Sequence, residues 1–305
     1  RGEQVTLVDL RQAALSGGFK SRDTFEAWLS ANTGDDLNDL HQAYQAAKRA
    51  VVASPFQGEA WCVLANLAFL ETFEPQLPQR CLAQALIVRP HSGTVLFEAA
   101  RQAELDGDLE QAVAYQRECF HISSEHRTMI LNLLRTKISA TEAMTMLNPD
   151  LAGLRAIDSV WSLQSTAEDM RSVREHRLKE VLAAAEEART PKQASQRCTL
   201  YCEASNLFRT LGEIKQASLA MDAAIKANPS HYGARLACVD LAILLDDPDT
   251  AKQHIDWLLL RRPDASAVKS RLNQLRKLRV RLASEPTQSV SPHNDPHADS
   301  GVRQQ

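Results

Sequence analysis

Cys198 and Cys202 stand four residues apart in a segment with helical periodicity, so both thiols lie on one face of the predicted helix. Two thiols in that arrangement could bind a metal ion or act as a redox pair. No histidine stands beside them in the sequence, so packing as small apolar side chains is the favoured interpretation. The other four cysteines form no C-x-x-C pair, and we expect all six to be buried in a reducing compartment.

Two other groups have residue types that could bind a cation. Cys119, His121 and His126 fall around one predicted helix end, where a histidine is commonly stabilised by the helix dipole alone. The acidic phrase "LDGDLEQA" resembles part of a calcium loop, but Arg117 occupies the twelfth place counted from Asp106, where such a loop needs glutamate. We therefore predict a turn there, and no metal or other cofactor for the chain.

The sequence lacks the common catalytic motifs: the P-loop, the H-E-x-x-H helix, the G-x-S-x-G elbow and the dinucleotide glycine pattern. We therefore expect this chain not to be an enzyme. Its formal net charge of -3 gives no electrostatic reason to expect nucleic acid as a partner. No apolar run is long enough for a transmembrane helix, so we expect no membrane insertion by this segment. Because the chain begins at Arg1, we expect it to be a fragment or a processed product.

A repeat organises these residues. Helix-ending positions recur at intervals of 34 or 35 residues, with a gap of 105 residues between the third and the fourth, and they are Pro55, Pro90, Ser124, Pro229 and Pro263. The residue twelve places before each of these positions is alanine in four of the five cases and proline in the other. These residues are Ala43, Pro78, Ala112, Ala217 and Ala251. Such a period is typical of stacked helix–turn–helix units, each of which buries its apolar face against the next unit.

The unit from Cys198 to His231 shows the pattern best, with residues Tyr201, Ala204, Ser205, Phe208, Gly212, Ala217, Met221, Ala224 and Pro229. Small residues let two antiparallel helices approach, and the glycine permits the left-handed turn between them. This pattern resembles the tetratricopeptide repeat (TPR) superfamily. The resemblance implies an all-α fold, a right-handed α-solenoid of TPR-like helix–turn–helix repeats that is irregular in the middle.

The expected organisation follows from this register. It is N-terminal helices and a partial repeat at 1–57, two repeats at 58–124, an irregular insert or degenerate repeats at 125–196, two repeats at 197–263, a capping helix at 264–284 and a disordered tail at 285–305. Within 125–196 the sequence predicts three short helices, broken near Ser139 and at Asn148, followed by a long charged helix.

The TPR resemblance also implies a concave groove that binds a peptide or a helix of another protein. The positions that face inward in that family include Asn66, Phe69, Phe97, Arg101, Asn206, Arg209 and Asp240. An asparagine at such a place can hold a peptide backbone or carboxylate, and a nearby arginine can pair with the carboxylate. The family's groove lysines are missing, which favours an apolar groove with few polar groups. The alternative is that Asn66 and Asn206 cap or bridge neighbouring helices.

A second resemblance concerns the phrases "SPFQGEAWCVLANL" and "LNPDLAGL". They are similar to the aqueous C-terminal regions of some bacterial O-antigen ligase or polymerase-like membrane proteins. That resemblance implies a docking or regulatory region of a protein of envelope-polysaccharide assembly, as the alternative to an interaction scaffold. The expected location is accordingly the cytoplasm, or the aqueous domain of a membrane protein.

Overall fold

The computed structural model describes residues 7–15, 18–19, 21–34, 36–71, 74, 76–162 and 165–284. Every regular element within these ranges is helical, which confirms the predicted all-α class. The chain divides into two compact units, residues 1–177 and residues 178–305. The tail predicted at 285–305 lies outside the described residues.

The first unit contains ten helices within the described ranges. They are α1 (Leu7–Leu15), α2 (Arg22–Thr33), α3 (Asp36–Ala53), α4 (Gly58–Leu67), α5 (Gln76–Val88), α6 (Gly93–Asp106), α7 (Leu109–Ile122), α8 (Ser124–Leu134), α9 (Ala140–Leu147) and α10 (Leu151–Trp161). Pairs α4/α5 and α6/α7 have the arrangement expected of TPR-like units, and the first helices α4, α6 and α8 also contact one another in order. Helix α11 (Ala167–Glu187) contains the division between the units.

The described part of the second unit continues with α12 (Ala194–Thr210), α13 (Ile214–Ala227), α14 (Tyr232–Leu244), α15 (Pro248–Arg261) and α16 (Ser266–Ser284). Helices α13 and α15 begin 34 residues apart, which is the period read from the sequence. The pairs α12/α13 and α14/α15 pack as antiparallel neighbours, and α16 covers α14 and α15. The second helix of each pair ends two residues before its marker proline, as at Pro229 and Pro263.

Small residues sit where paired helices meet. Ala217 and Ala224 of α13 have no exposed surface, and neither has Ala204 of α12. Ser205 is also buried, and its hydroxyl donates a 2.7 Å hydrogen bond to the Ala217 carbonyl across the pair. A larger side chain at either position would push the helices apart, because close packing leaves no spare volume.

Glycines end the first helices of two pairs in the left-handed region. Gly107 has φ 80° after α6, and Gly212 has φ 85° after α12. In both turns the next residue's amide also bonds back to the helix, as Glu213 does to the Phe208 carbonyl at 2.8 Å. This is the arrangement that the sequence pattern predicted for the turn between paired helices.

Replacing Gly212 with alanine should lower the free energy of unfolding by about 1–2 kcal/mol, because an L-residue is strained at positive φ. An added Cβ would meet no atom within 4 Å, so the cost is conformational and not steric. The control is Gly233→Ala in α14, where φ is ordinary and alanine favours the helix. Urea unfolding of both variants checks this, and equal loss of stability in both would contradict it.

The middle of the chain departs from the regular pairing, as predicted. Helices α8, α9 and α10 are short and are separated at residues 135–139 and 148–150. Ser139 caps α9 with a capping box, and Asn148 ends it in the left-handed region. The long helix α11 then stops at Glu187, four residues before Pro191.

Candidate functional site

An open cavity of about 610 Å³ lies in the first unit between α6 and α8. It is lined by Phe97, Ala100, Arg101, Glu104, Gln116, Met129, Ile130, Asn132, Leu133, Leu134 and Lys137. Two of the predicted groove residues, Phe97 and Arg101, are therefore brought together there. The cavity lies on the row of first helices, which is the side that the TPR resemblance assigns to ligands.

The cavity combines an apolar floor with charged groups. Phe97 is 9 % exposed and packs against the ring of His126, with centroids 5.4 Å apart. Met129 and Leu133 of α8 are 45 % and 52 % exposed, and they stand together beside this one cavity. Among the charged residues of its lining, Arg101 and Lys137 are positive and Glu104 is negative.

Asn66 of α4 is not among the residues that line this cavity, and its side chain already has two partners within the protein. Its side-chain oxygen accepts a 3.2 Å bond from Arg11 of α1, and its amide nitrogen donates to Glu98 at 2.9 Å. Glu98 also accepts from Arg101 at 3.2 Å, so one polar network links α1, α4 and α6. Asn66 thus bridges neighbouring helices, which was the alternative interpretation from the sequence. Its role in ligand binding stays a prediction.

Arg11 is the most unusual member of that network. It is only 4 % exposed, yet its Nε and Nη2 atoms have no hydrogen-bond partner among the described residues. Burial lowers the pKa of its guanidinium below the usual value, against the opposing effect of Glu98. A ligand that reached Asn66 would have to share the amide with Arg11 or displace it.

Phe69 takes part in the core of the first unit and is absent from the lining of the α6/α8 cavity. It is 4 % exposed and meets the ring of Phe25 edge-on, with centroids 6.2 Å apart. Phe25 belongs to α2, so the N-terminal helices pack over the position that the family register turns inward. A contact between Phe69 and a groove ligand stays a prediction that would need this packing to open.

The predicted groove residues of the second unit fall into two situations. Asn206 and Arg209 are both exposed, one turn apart on α12, as their spacing predicted. Asp240 is half-buried and accepts two hydrogen bonds from Arg271 of α16, at 2.7 Å and 2.6 Å. Asp240 therefore holds the last helix against α14 in an ion pair, and its role in ligand binding stays a prediction.

Met129, Leu133 and Lys137 line the cavity but were not predicted. The register was counted only in the clean repeats, and α8 belongs to the segment that matches the repeat poorly. A signal was nevertheless present in "MILNLL", which has apolar residues on more than one helix face. Ile130, Leu131 and Leu134 already supply the buried face, so Met129 and Leu133 were available for a surface.

Two of the groups considered for cation binding, the one around Cys119 and the acidic phrase at 105–112, have partners within the protein. The Cys119 thiol donates to the Gly93 carbonyl at 3.2 Å, and His126 bonds the Ser123 hydroxyl at 2.8 Å. Asp108 caps α7 through the Gln111 amide, so the acidic phrase forms a helix start after its turn. Among the described helices, none is long and apolar enough to cross a membrane.

No family model matches the chain, and no curated protein matches it. Solved structures do match at low identity. A chain of the Cut9–Hcn1 hetero-tetramer of APC/C is 13 % identical with a TM-score of 0.36, over 89 % of this chain and 53 % of its own length. YrrB, a TPR protein with an unusual peptide-binding site, is 11 % identical with a TM-score of 0.35, over 75 % and 99 %. Pseudomonas aeruginosa pilF is 15 % identical with a TM-score of 0.31, over 88 % and 99 %.

This chain spans about half the length of the Cut9–Hcn1 chain that it matches. These TM-scores are low, so the assignment of the fold depends on the molecule's own features: antiparallel helix pairs, a 34-residue period and left-handed glycines between paired helices. By those features the chain has the all-α fold of TPR-like helix–turn–helix repeats, irregular in the middle.

Proposed function

We infer that the chain is an interaction scaffold and that the cavity between α6 and α8 binds a segment of another protein. The observation that carries this proposal is the exposure of Met129 and Leu133 beside an apolar cavity on the row of first helices. Its volume of about 610 Å³ is within the range of roughly 300–1,000 Å³ that ligand pockets have. The expectation that the chain is not an enzyme fits this role.

The chemistry of the cavity defines the ligand. Phe97, Met129 and Leu133 suit apolar side chains from one face of a helix or from alternate residues of an extended peptide. Methionine adapts its shape to different apolar partners. Lys137 suits a carboxylate, either an acidic side chain or the C-terminus of the ligand, and Arg101 could join it by giving up its bond to Glu98. The preferred partner is therefore a protein segment that combines apolar anchors with a negative charge.

Site-specific photo-crosslinking tests the proposal. A benzophenone amino acid at position 133 should crosslink a partner in a lysate of the source organism, while the same group at Leu109 should not. Leu109 is the control because it is also an exposed leucine of the first unit, 67 % exposed on the second helix of its pair. The partner is then identified by mass spectrometry, and the identified protein is purified for binding measurements.

Leu133→Glu should weaken binding of that purified partner more than tenfold, since a charge would enter the apolar contact. Leu109→Glu should leave the affinity within twofold. Equal effects of the two variants would overturn the proposal, and so would a partner that crosslinks at 109 alone. Circular dichroism of both variants checks that each retains its helical fold.

The alternative role, a docking region of a membrane protein of envelope-polysaccharide assembly, stays a prediction. No feature of the described residues favours it over a general scaffold. The same crosslinking experiment distinguishes the two, because a docking region would capture an envelope-assembly protein at position 133.

A further inference from the structure

His231 lies close to the cysteine pair Cys198 and Cys202. The ligand atoms of Cys198, Cys202 and His231 all lie within 4.8 Å of one another. Cys198 and Cys202 are one turn apart on α12, and their thiols are hydrogen-bonded to each other. His231 precedes α14, and the turn after α13 carries it across to α12. The fold thus joins a histidine to two thiols that lie far from it in the sequence.

The donor set has a definite chemical preference. Two thiolates and one imidazole are ligands that Zn²⁺ takes in tetrahedral sites, and the two negative charges would balance the ion. Metal–ligand bonds of about 2.0–2.3 Å place donor atoms roughly 3.5–3.8 Å apart, so donor atoms within 4.8 Å of one another need to approach by no more than about 1 Å. Binding would release the two thiol protons to solvent. Met221, whose sulfur is 3.9 Å from that of Cys202, is a poorer ligand for zinc and packs behind the pair.

Access and surroundings are also compatible with a bound ion. Cys198 has no exposed surface, but Cys202 and His231 are both partly exposed, so an ion can enter from their side. Without an ion, burial and, to a smaller extent, the neighbouring Cys198 raise the pKa of the Cys202 thiol to about 12. A divalent cation reverses this preference, because it stabilises the thiolates that burial disfavours.

The helix-capping bond of His231 opposes metal binding, and this competition can be tested by mutation. The His231 Nδ1 atom accepts a 3.0 Å bond from the Ala234 amide and so caps α14. A neutral imidazole that uses Nδ1 as an acceptor carries its proton on Nε2. Coordination by Nδ1 would use the lone pair that accepts from Ala234, and coordination by Nε2 would move the proton to Nδ1, so either mode requires the ring to give up the cap. The capping function and the coordinating function of His231 are therefore separable by mutation.

We propose that Cys198, Cys202 and His231 form a binding site for a zinc-type divalent cation, with a fourth position open to water or a ligand. The site lies in the second unit. It is independent of the α6/α8 cavity, so either proposal can fail alone.

The test is titration of the full reduced chain with Co²⁺, a spectroscopic substitute for Zn²⁺. One equivalent should produce the thiolate-to-cobalt charge-transfer absorption in the near ultraviolet, and added Zn²⁺ should remove it. His231→Asn should lower the affinity more than about tenfold while leaving the stability of the metal-free chain unchanged, because asparagine is a good helix cap without an imidazole. Cys202→Ser should abolish most of the absorption. The thiol control is Cys81→Ala in the first unit, which should bind Co²⁺ like the parent.

Absence of the absorption in the parent chain would overturn the proposal. Full-strength binding by His231→Asn would also overturn it, since the ion would then be held by thiols alone or by another part of the chain. Loss of binding in Cys81→Ala would place the ion elsewhere and have the same consequence.

Discussion

Replacing Phe120 with alanine should lower the free energy of unfolding by about 3–5 kcal/mol, the range for deletion of a large buried aromatic side chain. Phe120 belongs to α7, has no exposed surface and lies in the core that α7 shares with α8, α9 and α10. The Arg127 guanidinium lies 5.2 Å from the centre of its ring, and Arg127 Nε donates to the Phe120 carbonyl at 3.0 Å. The ring therefore joins the α6/α7 pair, the last regular pair of the first unit, to the irregular helices that follow.

The contact between Phe120 and α10 can be measured separately. A Cβ on Gly153 would lie 2.6 Å from the Phe120 ring, so Gly153→Ala should destabilise the parent protein. In the Phe120→Ala background the ring is gone, and the same change should cost less because the methyl group enters the vacated space. A double-mutant cycle by urea unfolding gives the coupling energy.

Phe56→Ala provides the matched control, because Phe56 is 72 % exposed and should change stability by less than about 0.5 kcal/mol. A loss at Phe120 no greater than that at Phe56 would show that the ring does not hold α7 against α10. Additive effects of Phe120→Ala and Gly153→Ala would show that the two residues do not touch.

Replacing Ala217 with leucine should lower the free energy of unfolding by about 1–3 kcal/mol, because the added carbon atoms have no space between α12 and α13. Ala217 has no exposed surface, and its carbonyl accepts the bond from Ser205 that ties the pair together. Ala251 occupies the equivalent place 34 residues later and is also fully buried, so Ala251→Leu should behave alike. Thermal and urea unfolding measure both.

The control for this pair is Ala183→Leu on α11, an exposed alanine of the same unit, which should leave the melting temperature nearly unchanged. Unaltered melting of both Ala217→Leu and Ala251→Leu would contradict the repeat register on which the assignment of paired helices depends.

The repeat itself could be predicted because its cause is local. Alanine, glycine and proline recur at fixed spacing, and each acts within one helix pair, as Ala217 and Gly212 do in the structure. The cavity was only partly predictable. Phe97 and Arg101 followed from the register of α6, whereas Met129 and Leu133 lie on α8, where the irregular sequence gave no register to count from.

The repeat pattern could not predict side-chain partners that are far apart in the sequence. Asn66 meets Arg11 from 55 residues away, and Asp240 meets Arg271 from 31 residues away. Both partners come from helices that cover the repeats at their ends. A periodic sequence pattern predicts only the contacts that every repeat makes. The covering helices occur once each, so their contacts could not be predicted from the repeat. The same reason explains why His231 was not associated with Cys198, since the turn that brings it across belongs to the tertiary packing.

The way in which the helices of the second unit meet has a kinetic consequence. Each extensive contact among its described helices joins a helix to the next one or the next but one, as α12 to α13 and α14 to α16. Segments that meet are thus close along the chain, so little loop-closure entropy is lost before a contact forms. A low contact order of this kind is associated with rapid folding that can start at any pair and spread to its neighbours.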